Sequence, residues 1–233
     1  MSEAAPSPAP ANRWIDRVSV VAFAVLWSIA AARVAGIFLD PVALLPALPG
    51  ALAGYLLADL VAGTVHWIAD RHFEPDTPWI GPLLIEPFRA HHADPLSITR
   101  HDFFEVLGHN ALVTLPATLP LCFLEPATNA GEAFALALAL SATFFAVATN
   151  LFHAWAHAPR PPGIARALQA FGLVLTPRRH ARHHRAPFDR AYCVTSGWLN
   201  SLLDRTGFFE RLDARIARYA GRHPAAHETR SAR

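Results

Sequence analysis

The chain has 233 residues, 53% of them apolar and 16% charged, with a formal net charge of +2. That length suits one domain, and the apolar share exceeds what most soluble domains carry. Two cysteines, Cys122 and Cys193, exclude a disulfide-built scaffold, and all 20 basic residues are arginine.

In chain order, residues 1–12 are rich in Ala, Pro and Ser without periodicity and predict a disordered tail. The body of the protein is expected over residues 13–212, with a basic tail over 213–233. Four apolar runs follow one another: Val18 to Leu39, Val42 to Val65, Ala111 to Leu124 and Ala133 to Phe152. A membrane span needs about 20 mostly apolar residues, so the third run, interrupted by Pro116 and Pro120, spans only if it begins near Phe103. The expected fold is therefore an all-α integral membrane protein with about four transmembrane helices. A cleaved signal peptide is the competing reading of the first run, since Arg13 and Arg17 precede it and it ends in Ala30-Ala31-Ala32. Its removal would leave three spans and set the histidines against the charge rule.

Charge sets the orientation. Arg13 and Arg17 precede the first span, Arg71, Arg89 and Arg100 lie between the second and third, and arginines crowd the segment after the fourth. The other connections carry Asp40, Glu125 and Glu132, with Arg33 the one base close enough to reach them. Both termini should then face the cytoplasm. Trp67, Trp155 and Trp198 fall at expected interfaces and read as belt anchors.

Eight of the 13 histidines gather at the ends of apolar runs, all on that same face. His66 and Asp70 stand four apart, as do His153 and His157, so each pair projects from one side of a helix. His91 and His92 are adjacent. His180, His183 and His184 follow Pro177, a helix-start residue, at spacings that predict one helical face. His101 and Asp94 are candidates for a supporting or ligating role, whereas His72, His109, His223 and His227 fit no group. Arg178, Arg179, Arg182 and Arg185 interleave with the last histidines and are candidates to hold a lipid phosphate.

One histidine pair alone would usually be a solvated or hydrogen-bonded pair. Eight imidazoles and a carboxylate exceed what a single tetrahedral ion takes, so a two-metal, histidine-rich cap on the cytoplasmic face is expected. A pair of iron ions can activate O2 against an unactivated C–H bond, which side chains alone cannot do. A membrane zinc hydrolase would need only three protein ligands, and a metal sensor or carrier would need no slot for a lipid chain.

Four strings carry a resemblance: Glu86-Pro-Phe-Arg-Ala-His-His-Ala-Asp94 through Arg100-His-Asp102 to Glu105, Ala148-Thr-Asn-Leu-Phe-His-Ala-Trp-Ala-His157, Pro177-Arg-Arg-His-Ala-Arg-His-His184 and Tyr192-Cys-Val-Thr-Ser-Gly-Trp-Leu-Asn200. From about Leu56 to Leu212 the chain resembles the plasmanylethanolamine desaturase family, of the Kua or CarF type. The resemblance implies O2-dependent oxidation of a 1-O-alkyl ether phospholipid to the vinyl ether of a plasmalogen. It also implies two Fe ions held by His66, Asp70, His91, His92, His153, His157, His180, His183 and His184. Further implied are a membrane phospholipid substrate and electrons from a separate cytochrome or ferredoxin type protein, with no nucleic-acid partner. The setting would be the bacterial cytoplasmic membrane, or the endoplasmic reticulum in a eukaryote. An acyl-lipid desaturase is the close alternative. Unlike the wider desaturase pattern, Phe88 stands three before His91 where that pattern has histidine, and Asp70 stands where a second histidine would be expected.

Overall fold

The computed structural model describes residues 10–219, so residues 1–9 of the tail expected over 1–12, the end of the C-terminal tail, and His223 and His227 lie outside the described residues. Among the described residues every regular element is helical. Four long helices, α1 (Pro10–Arg33), α2 (Pro41–Arg71), α4 (Phe103–Thr118) and α5 (Ala130–His157), form the bundle, with α3 (Glu86–Ala93) between α2 and α4. Four short ones, α6 (Gly163–Ala170), α7 (Pro177–His180), α8 (Asn200–Thr206) and α9 (Phe208–Tyr219), follow α5. The long helices, with the 3-10 turn that extends α4 to Phe123, are long and apolar enough to cross a membrane. Large apolar side chains stay exposed on their outer faces, among them Val21, Val25, Leu48, Leu52 and Val113, as a surface against lipid requires.

Capping, more than hydropathy, sets where the helices begin. Asp40 accepts from Val42 N ahead of α2, and Asn129 accepts from Glu132 N ahead of α5. At α4, Asp102 and Glu105 form a reciprocal capping box, so the third span begins at Phe103. Arg33 closes the far end of α1 by donating to Leu124 O at 3.0 Å and pairing with Glu125.

Helix directions follow from which residues meet. Arg13 pairs with Glu105 and Cys122 Sγ donates to Leu26 O, so α1 and α4 run the same way. In the opposite direction, α2 and α5 run side by side, with Ser141 Oγ donating to Ala51 O at 2.6 Å. Their contact depends on Gly54, whose Cβ would sit 2.2 Å from Leu138 O. The C-terminal ends of α2 and α5 and the N-terminal ends of α1 and α4 therefore share one end of the bundle.

The chain after α5 turns back into this bundle. Residues 191–196 form an irregular strap, each at most 4% exposed, laid between α2 and α5. Gly63 makes room for it, since a Cβ there would lie 2.6 Å from Cys193 Sγ. Non-helical backbone at membrane depth needs its polar groups partnered, and most of this strap's have partners. Asn200 binds both the N–H and the carbonyl of Cys193, Leu175 N donates to Thr195 O, and Arg179 donates to Ser196 O. Thr195 Oγ1 meets Thr149 Oγ1 of α5 at 2.7 Å.

Helix α9 then folds over the end of α2. Its Asp213 receives hydrogen bonds from Trp67 and Arg71 and pairs with His72 at 2.9 Å. Trp67 is consequently buried against Tyr192 and Phe209, which corrects its reading as an interface anchor. The boundary expected between residues 212 and 213 falls inside α9, and the tail expected over 1–12 runs into α1 at Pro10.

Candidate metal centre

At the shared end of the bundle, nine side chains converge in two groups. His91, His153, His157, His180 and His184 form one, and His66, Asp70, His92 and His183 form the other. Within each group one donor atom per residue lies within 4.8 Å of all the rest. Helical spacing of four delivers His66 with Asp70 from the last turns of α2, and His153 with His157 from the last turn of α5. Neighbours in sequence then divide between the groups: His91 joins the first and His92 the second, as His184 and His183 do.

That division corrects the expected single face over His180 to His184. Helix α7 is one turn long, ends at His180, and is followed by tight turns in which His183 N bonds to His180 O. The tighter winding swings His183 away from the other two. His180 Nε2 stays 2.9 Å from His184 Nε2 and 2.8 Å from His153 Nε2, whereas His183 Nε2 lies 3.1 Å from His92 Nε2. Asp70 completes the second group, its carboxylate 3.5 Å from the Nε2 atoms of His66, His92 and His183.

These spacings and the unpartnered atoms fit bound metal ions. Metal–nitrogen bonds of about 2.0–2.1 Å place neighbouring donor nitrogens roughly 3 Å apart. His66 Nε2, Asp70 Oδ2, both ring nitrogens of His91 and His157 Nε2 are buried with no hydrogen-bond partner. Buried polar atoms seldom go unpartnered, and here several aim at common points. Two rings are held for Nε2 ligation from behind: His66 Nδ1 donates to Tyr192 O at 3.1 Å and His183 Nδ1 to Arg190 O at 2.9 Å. A neutral imidazole carries one proton, so that bond leaves Nε2 as a free lone pair.

Electrostatics keep the rings in that form. Burial, then repulsion from His157 and His184, lowers His91 to about 2. Burial takes His92 to about 4 and His183 to about 3, the latter against its bond to Arg190 O, which favours the proton. His180 is held well below its ordinary value and His184 is lowered, both by burial first. All five are neutral near pH 7, the state that binds a metal.

Other expected site residues lie elsewhere. His101 is exposed and meets Glu105 at 3.3 Å, and Asp94 is bonded to Arg100, which holds its carboxyl low; neither joins a group. Arg178 points to solvent, Arg179 is committed to Gly172 O and Ser196 O, and Arg182 pairs with Asp204 at 3.0 Å. Phe88 packs edge-on against the His66 ring at 5.1 Å. Sequence reading passed over Asp59, a fully buried carboxylate in α2. Its Oδ1 accepts from the N–H groups of Thr195, Ser196 and Gly197, and its Oδ2 from Ser196 Oγ at 3.0 Å. The only local signal was an acid in the middle of an apolar run. Asp59 anchors the strap whose Tyr192 carbonyl orients His66.

The sequence model of the lipid desaturase domain matches residues 55–227. A plasmanylethanolamine desaturase of Myxococcus xanthus is 40% identical over 178 residues, covering 76% of this chain and 63% of that protein. Plasmanylethanolamine desaturase 1 of Mus musculus is 39% identical over 188 residues, covering 77% of this chain and 68% of its own length. The chloroplastic fatty acid desaturase 4 of Arabidopsis thaliana is 38% identical over 205 residues, covering 86% and 61%. The chain thus spans about two thirds of the length of these relatives. No solved structure matches. The family model covers most of the chain, including all nine converging residues, and the chain belongs to the lipid desaturase family.

Proposed function

We propose that this protein converts the 1-O-alkyl chain of a plasmanyl phospholipid into the vinyl ether of a plasmalogen. The reading assigns one iron ion to His91, His153, His157, His180 and His184 and a second to His66, Asp70, His92 and His183. The observation that carries it is the gathering of nine donors into two adjoining groups with unpartnered lone pairs at the end of a membrane bundle. Ligand number separates it from a single-ion zinc hydrolase.

Iron at these positions supplies the O2 chemistry needed to oxidise an unactivated C–H bond. The chain's own residues hold the donors in place: the Tyr192 and Arg190 carbonyls fix two ring tautomers, and Phe88 packs edge-on against the His66 ring. For each double bond formed, O2 accepts the two hydrogens lost from the chain together with two electrons and two protons, and leaves as two waters. The electrons come from a separate cytochrome or ferredoxin type protein on the histidine-bearing face, which the charge rule assigns to the cytoplasm. The hydrocarbon tail runs away from that face. A largely apolar cavity of about 310 Å3, bounded by Trp27, Val34, Leu48 and Phe144 among others, is a fitting place for it. It reaches Phe145, about 12 Å along α5 from His153.

The Myxococcus and mouse relatives favour the ether substrate, and the Arabidopsis relative favours a second reading, an acyl-lipid desaturase. Lipid analysis of a host supplied with alkylglycerol decides between them. Acid-labile vinyl ethers that appear with the intact chain and vanish with His153→Ala or His184→Ala are the expected result. New double bonds confined to ester-linked chains would favour the acyl reading, and no change in either pool, with iron and reductant supplied, would reject both.

A further inference from the structure

On the segment that carries three of the nine donors lies a second, polar cavity. It measures about 260 Å3 and is bounded by Arg182, Arg185, Ala186 and Arg190. Two of its guanidinium groups are already matched, Arg182 to Asp204 and Arg190 to Asp189, each at 3.0 Å. Arg185 is exposed and has no ion-pair partner among the described residues. Glu210 acts on Arg190 from further off, and Arg185 is left as a cation with no ion pair in a concave site.

The position ties this charge to the metal groups. Arg182 adjoins His183 and Arg185 adjoins His184, at the roughly 3.8 Å separation of consecutive residues, and the Arg190 carbonyl receives the His183 Nδ1 bond. In a glycerophospholipid only the glycerol unit stands between the phosphate and the first carbon of the chain. A phosphate held here would present the start of that chain to the histidines.

We propose that the Arg182–Arg185–Arg190 cavity binds the phosphodiester of the substrate phospholipid, with Arg185 supplying the charge that answers its single negative charge. Guanidinium groups bind phosphate oxygens in paired, planar geometry, which a concave set of three arginines can offer. An acidic electron-donor protein would need a broader contact than one pocket with one free charge. The proposal rests on the lipid desaturase reading of the neighbouring groups and adds to it which residues hold the phosphodiester and so set the enzyme against a neutral glyceride.

Native mass spectrometry of the full chain in detergent tests this without turnover, using dihexanoyl phosphatidylethanolamine and, as the phosphate-free control, dihexanoylglycerol. The phospholipid should bind at least about tenfold more tightly than the glyceride, and Arg185→Gln should remove about tenfold of that affinity, the scale of one charge-assisted hydrogen bond. Arg185→Lys should restore part of it. Equal binding of the two lipids, or unchanged affinity in Arg185→Gln, would overturn the proposal. Inorganic phosphate that competes as strongly as the phospholipid would assign the cavity to free anions instead. A variant that binds lipid normally but slows turnover only with a protein electron donor would assign it to that donor. If no vinyl ether or new double bond ever forms while lipid binding follows the expected pattern, the reaction assignment fails and the cavity stands.

Discussion

Asp59 and Asp70 lie three turns apart on α2, the first fully buried and the second with its side chain largely covered, yet they are used in opposite ways. Asp59 is saturated: three backbone N–H groups reach one oxygen and a serine hydroxyl reaches the other. Asp70 faces three imidazoles at 3.5 Å, and its Oδ2 has no hydrogen-bond partner. Removing a carboxylate from water is costly in either place. At Asp59 the protein itself compensates, and at Asp70 the proposed metal ion would do so. The contrast separates a residue that holds the structure together from one held in reserve for chemistry.

Variants sharpen the contrast, and the largest effect belongs to the reserved set. His183→Ala and Asp70→Ala should each lower iron from about two ions per chain to one or fewer and reduce product formation by at least about a hundredfold, while leaving the metal-free fold intact. Elemental analysis beside circular dichroism reads both. Full iron content and full rate in either variant would remove these residues from the metal sites.

Asp59→Ala should do the reverse first. It strands at least three buried N–H donors, costing about 3 kcal/mol or more and lowering the unfolding midpoint of the metal-free protein by several degrees. Asp70→Ala removes an uncompensated carboxylate and should leave that midpoint unchanged or higher. A thermal melt in which Asp70→Ala is the less stable variant would reverse the assignment of roles.

The smallest effect is the response to pH. His91, His92, His180, His183 and His184 stay neutral in the fold below their ordinary value, whereas in the unfolded chain they take up protons from about pH 6.5 downward. Stability of the metal-free protein should be level above pH 6.5 and fall steadily from there toward pH 4, where His92 begins to titrate in the fold. Melts across that range measure it, and a midpoint that rises on acidification would mean the rings are charged in the folded state.

Much of this site was legible because its ligands obey local rules. Offsets of four at His66–Asp70 and His153–His157 are helical geometry, and hydropathy located the four spans, close to the capped starts of α2 and α5 and further from the starts of α1 and α4. The division of His183 from His180 and His184 was not legible, since it depends on α7 stopping after one turn, and no residue type there announces the stop. Neither was the burial of Trp67, whose partner Asp213 lies 146 residues away. Asp59 escaped for the same reason: its donors belong to a strap 136 to 138 residues downstream, and a lone acid in an apolar run looks the same with or without them.

That separation has a consequence for how the protein is made. Helix α2 enters the bilayer long before residues 195–197 are synthesised, so for most of its biogenesis Asp59 lies in hydrocarbon without its donors. An unpartnered acid at the centre of a span costs about 2.5–3.5 kcal/mol on insertion scales. The newborn helix therefore carries that cost until the chain's last third arrives and threads its strap between α2 and α5. Maturation runs from the C-terminal side backward, and a ribosome that stops short of Thr195 leaves behind a bundle with all four spans and an open wound at its centre.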